Sequence, residues 1–474
     1  MSRAQVGMDA PLVTVETHIS GGLPGFTLVG LPATAVREAR DRVRSALISC
    51  GFRFPKGRVV VNLAPGDLTK EGPRYDLAIA ASILCATGQA SVKHLQHLEL
   101  LGELGLDGSL RSVRGALSAA LAVRQSKPQR SMVLPNKNAA AAALLGDSGL
   151  IALSHLSELP AILAHPTQTV STAEVGTPES MSVRPPLVAP AQQQDFAIDH
   201  ILGAEGAKRA LVIAAAGGHH LLLVGPPGTG KTMLARALAE LLPALTQNEL
   251  IEVATIYSAA GLPLATNMPP VREPHHSSST SALAGGGSTP RPGEVSLAHR
   301  GVLFLDELPH FKSNVLNLLR EPMSARTITI ARTRQRVRFP ASFQLVAAMN
   351  PCPAGLTCRS DACRCAIARV RAYQARLSGP LIDRIDLQIA VPPVPAELLL
   401  EQTARRGGNA KTGPATRGAQ WLQQISRART TARQRQGCLN AELDYQLDQS
   451  QLSKAARTLL RDIAQRKSPS ARAF

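Results

Sequence analysis

The octapeptide GPPGTGKT at Gly225–Thr232 constrains this chain more than any other feature. It fits the pattern G-x-x-x-x-G-K-[ST], and its surroundings fit too. A four-residue apolar run, Leu221–Val224, precedes it, and a helix over Thr232–Leu242 is expected to follow. Strand, glycine-rich turn and helix in that order let backbone N–H groups curl around phosphate oxygens, with the positive end of a helix behind them. Gly225, Pro226, Pro227, Gly228, Thr229, Gly230, Lys231 and Thr232 are therefore the expected ATP-binding residues. Lys231 is expected to reach the β- and γ-phosphates, and Thr232 to ligate Mg²⁺.

The stretch GVLFLDEL, Gly301–Leu308, supplies the partner motif. Its four apolar residues predict a buried strand that delivers two carboxylates to its C-terminal edge, where open α/β sheets bind ligands. Asp306 is expected to partner Mg²⁺ directly or through the ligand shell, and Glu307 to polarise the attacking water. A third apolar run, Phe343–Met349, ends in Asn350, an amide that either orients water or merely opens the turn at Pro351. Then comes LSGPLIDRIDL, Leu377–Leu387, with Arg384 between Asp383 and Asp386. An arginine supplied in trans neutralises charge on a transferred phosphoryl group; alternatively these three residues form a surface ion-pair cluster of little energetic weight. A nucleotide hydrolase is the expected class.

Charge says what such a hydrolase would meet. The 474 residues carry 52 Lys and Arg against 34 Asp and Glu, a net charge of +18, with only 1 Trp, 4 Tyr and 9 Phe. So basic a chain is expected to contact a polyanion, nucleic acid first of all. The scarcity of rings argues against base-stacking platforms and favours contact with phosphate backbone. Five of the arginines, Arg326, Arg332, Arg334, Arg336 and Arg338, fall in RTITIARTRQRVRF, whose alternation predicts a β-hairpin. That hairpin is either a DNA grip or a solvated surface.

From Thr403 onward the chain has 14 basic and 4 acidic residues in helical stretches rich in Arg, Gln and Ala. No apolar stretch approaches the ~20 residues of a membrane span. The start lacks a secretory segment, and seven cysteines with four crowded together fit a reducing compartment, so a cytoplasmic protein is expected. Those four, Cys352, Cys358, Cys363 and Cys365, either hold a structural Zn²⁺ or are ordinary reduced thiols.

The pattern along the chain predicts an α/β protein in parts. Residues 1–164 mix strands (Leu12–Thr17, Phe26–Val29, Val59–Leu63) with helices (Ala35–Ser49, Asp76–Thr87, Leu110–Ala122). Residues 165–194, rich in Pro, Thr, Ser and Gln, read as a linker. Residues 195–395 alternate helix and strand as a parallel-sheet nucleotide-binding core, with helix Ala204–Ala216 first. Residues 396–474 read as helical.

The order P-loop, FLDEL, AAMNPC, RLSGPLIDRIDL resembles the AAA+ ATPases related to the magnesium-chelatase ATPase subunit. The strings SRAQVGMDAPLVTVE, GLPGFTLVGLP, GRVVVNLAP and PGEVSLAHRGVLFLDELPHF narrow the resemblance to the ComM/YifB group of competence-associated proteins, over nearly the whole chain. The resemblance implies that Asn350 is sensor 1, Arg384 an arginine finger, and the particle a homo-hexamer with ATP sites between subunits. It implies that the arginine hairpin and the insertion Ile256–Ala298 face a central pore, with His275-His276 structural. It makes the last segment a helical lid, expected to be incomplete at Phe474, with Arg472 as the sensor 2 arginine.

The first segment resembles the Lon-protease fold (ribosomal S5 domain 2-like, α+β). Arg74 stands after Gly72-Pro73 where those proteases place serine, and the lysine expected near Val113–Leu117 is missing, so no acyl transfer is expected. Related sequences read CPCG where this one has Cys352-Pro353-Ala354-Gly355. The implied function is an ATP-driven DNA motor, a helicase or translocase promoting branch migration of recombination intermediates during natural transformation. Single-stranded and branched DNA and recombination proteins are its implied partners. The competing reading is the ATPase subunit of a Mg or Co chelatase-type complex without DNA activity.

Overall fold

The computed structural model describes residues 1–33, 36, 38–146, 149–165, 196–264, 266–287, 290–332, 335–355, 363, 365–395, 416–443 and 453–467. The linker expected at 165–194 lies, apart from His165, outside them.

Around the P-loop the sequence builds a five-stranded parallel sheet in the order Val271–Arg272, Val302–Leu305, Gln344–Met349, Leu221–Val224, Leu387–Ala390. Its central strands are continuous apolar runs because both faces are covered, as parallel sheets require. The period of two is visible in what each side chain touches. Leu221, Leu223, Val302, Phe304, Val346 and Ala348 pack with Leu211, Ala214, Leu234 and Leu238 of helices Glu205–Gly217 and Lys231–Glu240. Leu222, Leu303, Leu305, Leu345, Ala347 and Met349 pack on the other side with Val315, Leu319, Ile330 and Phe339.

The first part of the chain holds a four-stranded mixed sheet, ordered Ser2–Arg3, Leu12–Ser20, Arg58–Ala64, Gly25–Val29, and a parallel three-stranded one, Leu98–Leu100, Ser131–Pro135, Leu150–Leu153. The helix Asp76–Ala86 is buried almost all round between them. One expectation needs correcting. The helix foreseen over Leu110–Ala122 is broken: Leu110–Arg111 pairs with Glu103–Leu104, and the helix starts only at Ala116. Gly115, left-handed at φ 64°, ends the extended stretch and caps the helix.

Helix Gln247–Ala260 joins the two parts of the chain. A Thr246/Glu249 capping box starts it and Gly261 ends it. Near its end the N–H groups of Gly115 and Leu117 donate to the Ser258 carbonyl (2.9 Å) and Oγ (3.3 Å), while Ala254 is buried with Leu117 and Ala120. The insertion expected to begin at Ile256 is thus partly this docking helix. Its Val271–Arg272 adds the outer strand of the parallel sheet.

On the same helix Glu252 accepts from Arg300 Nε at 2.8 Å and from His299 Nε2 at 3.2 Å. Because His299 Nδ1 accepts the Ser342 N–H at 3.0 Å, Nε2 carries the proton of a neutral imidazole. Burial holds that imidazole below its ordinary value. The hydrogen bond from His299, joined by Arg300, pulls the Glu252 carboxyl from 4.5 down to about 2. A depressed carboxyl stabilises the fold above its unfolded value and loses that contribution as pH falls through the folded one. Glu252→Gln is therefore expected to have a lower urea midpoint than wild type above pH 4.5, with the gap closing toward pH 2. A gap independent of pH would show that the ionised carboxylate stabilises nothing.

Candidate nucleotide site

Register brings three strand ends to one edge. Val224 pairs with Met349 and with Ala390, and Leu305 with Ala347, so Gly225, Asp306 and Asn350 leave the sheet side by side. The Gly225 N–H still donates to the Met349 carbonyl at 3.2 Å. A Cβ at Gly225 would lie 2.4 Å from the Val391 carbonyl oxygen, so the first P-loop position accepts no side chain. Gly228 and Gly230 adopt φ 79° and 80°, and a Cβ on either would meet nothing within 4 Å: the loop is curled, with open space over it. Thr229 closes the turn through Oγ1 to the Pro226 carbonyl at 2.9 Å.

Lys231 begins the helix and folds back over the loop. Its Nζ donates to the carbonyls of Gly225 and Pro226, both at 2.8 Å, and to Asn350 Oδ1 at 3.2 Å. Burial pulls this ammonium below its ordinary value, against the opposing pull of Asp306 and Glu307. Thr232 Oγ1 donates to Asp306 Oδ2 at 2.9 Å, and the other carboxylate oxygen accepts the Glu307 N–H at 2.8 Å. A hydroxyl and a carboxylate in contact at the head of a helix are hard oxygen donors, the set that suits Mg²⁺ beside phosphate. The curled loop, the ammonium and this oxygen pair fit a Mg²⁺-nucleotide, with Thr232 and Asp306 holding the ion and Lys231 the phosphates.

Glu307 stands beyond Asp306 in the left-handed region at φ 52°, strained for a residue with a side chain and held there by that N–H contact. His276 Nδ1 lies 3.6 Å from its Oε2. The His276 ring contacts those of His275 and His310 at 4.1 and 5.9 Å, and His310 in turn contacts Tyr373 at 6.1 Å. Sequence reasoning made the histidine pair structural and overlooked His310 and Tyr373. No spacing signals them, since positions 276, 310 and 373 meet only in the fold.

Two family models match. One, described as magnesium chelatase, subunit ChlI, covers residues 197–399; the other, described as subunit ChlI of Mg-chelatase, covers residues 15–138. Competence protein ComM of Haemophilus influenzae is 44% identical over 446 residues, 94% of this chain and 84% of that protein. The uncharacterised protein YifB of Escherichia coli K12 is 43% identical over 448 residues, 94% and 83% of the two chains. This chain belongs to the ComM/YifB family. Its members are ChlI-like AAA+ ATPases, which implies ATP hydrolysis with ATP and Mg²⁺. A more distant relative, the magnesium-chelatase 67 kDa subunit of Heliobacterium mobile, is 29% identical over 188 residues, 33% of this chain and 28% of that protein.

Other expected ComM/YifB site residues fall elsewhere. Arg384 precedes the strand Leu387–Ala390, whose far end pairs beside the P-loop, so it sits at the opposite edge of the sheet from this chain's own nucleotide loop. There its Nε donates to Ser324 Oγ at 2.9 Å and its Nη1 to the Pro380 carbonyl at 2.7 Å. Asp386 accepts the His220 N–H at 2.8 Å. Arg472 lies outside the described residues.

The hairpin forms as Thr327–Arg332 paired with Gln335–Pro340. Ile328, Ile330, Val337 and Phe339 are its buried face; Arg336 and Arg338 are on the exposed one, with Arg338 Nε donating to Thr327 Oγ1 at 2.9 Å. Arg334 and the side chain of Arg332 lie outside the described residues. Arg326, at the hairpin's base, is occupied with the Glu442 carbonyl at 2.8 Å. Several arginines of helix Arg417–Gln436 are likewise structural. Arg429 is buried on the Ala215 carbonyl at 2.7 Å, Arg433 pairs with Glu249 at 2.7 Å, and Arg417 pairs with Glu205 while covering Trp421 at 4.5 Å.

At the place expected of a protease serine, Arg74 is buried and donates to Gln5 Oε1 at 2.6 Å and the Arg114 carbonyl at 2.7 Å. Cys352, Cys363 and Cys365 come together; Cys358 lies outside the described residues. Among the described residues no helix is long and apolar enough to cross a membrane.

Proposed function

We propose that the chain is the subunit of an ATP-driven hexameric DNA motor that promotes branch migration of recombination intermediates. The observation that carries this reading is an arginine hairpin on the sheet that also carries the nucleotide site, its exposed face basic and its apolar face anchored in the core under that sheet. Side chains that grip phosphate suit a translocase, which must accept any base, and the scarcity of rings agrees. ComM's name ties that relative to competence, and the DNA task is extended to this chain on that basis. Cytoplasmic location and recombination-protein partners accompany the reading.

In the ATPase step Lys231 holds the β- and γ-phosphates, and Asn350, beside it at the end of its strand, orients the terminal phosphate and its water. Glu307 accepts the proton as that water attacks the γ-phosphorus and the bond to the β-phosphate oxygen breaks, releasing ADP and phosphate, and Arg384, on the opposite edge of the sheet, serves the site of the neighbouring subunit. Thr232 and Asp306 would hold Mg²⁺, which would supply neutralisation of phosphate charge.

The deciding experiment measures ATP hydrolysis with and without single-stranded and junction DNA, then unwinding of a three-way junction. Stimulation by both DNAs with junction resolution is expected. No response to DNA, together with stimulation by a chelatase partner subunit, favours the metal-insertion reading that the family models' name offers. Arg336→Ala with Arg338→Ala should weaken DNA binding alike across sequences and flatten the dependence of log K on log salt by about 1–2. An unchanged slope would move the DNA contact off the hairpin.

A further inference from the structure

We propose that Cys352, Cys363 and Cys365 form a structural zinc site that fixes the segment after Asn350 beside the P-loop. The three sulfur atoms lie within 4.8 Å of one another. A tetrahedral Zn²⁺ with bonds of ~2.3 Å spaces its sulfurs ~3.8 Å apart, so side-chain adjustment alone closes the set. Among the described residues no other group of three His, Cys, Asp or Glu donors converges this way. A purely thiolate set selects a soft or borderline ion such as zinc over Mg²⁺ or Ca²⁺.

Packing does not explain the convergence. Cys352 is buried, yet Cys363 is exposed and Cys365 half-buried, so two of the three are not core filler. The sequence between them, PAGLTCRSDACR, has few apolar residues with which to pin itself down. A metal clip supplies the stabilisation that burial cannot, offsetting the entropy of closing the loop. Arg371 lines the same cavity of about 780 Å³. Gly225 and Pro226 of the P-loop line that cavity too. Cys352 follows Asn350 by two residues, so the ion would anchor the turn that presents the Asn350 amide to Lys231. Three thiolates leave the fourth tetrahedral position to water or another donor, and Cys358, between these cysteines in sequence, lies outside the described residues.

The test uses the full chain, purified with a phosphine reductant and no chelator. Mass-spectrometric metal analysis should find about one zinc per chain. The paired variant Cys363→Ser, Cys365→Ser should lose it at least about tenfold, while Cys50→Ser keeps it. Cobalt alone, added to metal-stripped wild type, should give thiolate-to-cobalt charge-transfer and tetrahedral ligand-field bands, absent from the paired variant. If the paired variant does not fold, Cys363→Ser, which removes an exposed thiol, gives the same reading. Background zinc in wild type with no thiolate–cobalt band overturns the site, as does zinc that survives these substitutions. The readout is metal content and colour, so it stands or falls independently of ATP hydrolysis and DNA binding.

Discussion

Lys231→Ala is expected to lower ATP affinity by about 100-fold or more, which for most assays is loss of binding. The ammonium folds onto the carbonyls of Gly225 and Pro226 and onto the Asn350 amide, poised over the space above the loop. In the nucleotide complex these neutral acceptors give way to phosphate oxygens. A charge-assisted hydrogen bond is worth ~1.5–3 kcal/mol, and two phosphates share this group. At about 1.4 kcal/mol per tenfold, losing two such bonds costs on the order of 10²–10⁴ in Kd. The same lysine does little for the free fold, since its partners are carbonyls at the rim of an open loop. The unfolding midpoint without nucleotide should thus stay within a few degrees of wild type, while the upward shift that saturating ATP gives wild type disappears. Titration calorimetry and thermal melts with and without ATP check both halves. A Kd within about threefold of wild type would sink the assignment of Lys231 to phosphate.

What the sequence disclosed and what it hid follow from the range of the interactions concerned. The P-loop and the acidic strand were legible because each is a continuous segment with its own period and turn chemistry. Leu221–Val224 and Val302–Leu305 fall where the apolar runs place them. The register then carries Asp306 to Thr232, a contact 74 positions apart that parallel pairing makes nearly obligatory once both strands exist. The hairpin was legible for the same reason: alternation in Thr327–Ala331 and Gln335–Phe339 marks Ile328, Ile330, Val337 and Phe339 as the inward side chains.

Long-range contacts without a pattern were not legible. His276 reaches Glu307, and its ring leads on to His310 and then Tyr373 from two further segments; nothing in their spacing marks them. Net charge alone left the basic C-terminal stretch open between a charged helical surface and a DNA contact. In the fold Arg417, Arg429 and Arg433 dock helix Arg417–Gln436 onto helices Glu205–Gly217 and Gln247–Ala260. A composition cannot distinguish an arginine that meets solvent from one that meets a carbonyl.

Glu307→Gln is expected to separate binding from chemistry. The substitution keeps the side chain's size and the backbone contact to Asp306, so the strained φ of 52° survives and the loop keeps its shape. Thr232, Asp306 and Lys231 are untouched, and ATP affinity should stay within a few-fold of wild type. What disappears is a carboxylate that can take a proton. General-base contributions are worth about 10²–10⁴ in rate, so turnover at saturating ATP should fall by that factor. His276, 3.6 Å from the carboxylate, is the natural second probe. If it only steadies Glu307, His276→Ala should slow turnover by far less than Glu307→Gln and add little when the two are combined, because residues acting as a unit are not additive. Turnover by Glu307→Gln within about tenfold of wild type would place the base elsewhere in the ring of His276, His310 and Tyr373. Full loss with unaltered ATP binding, and no further loss on removing His276, leaves Glu307 as the group that activates water.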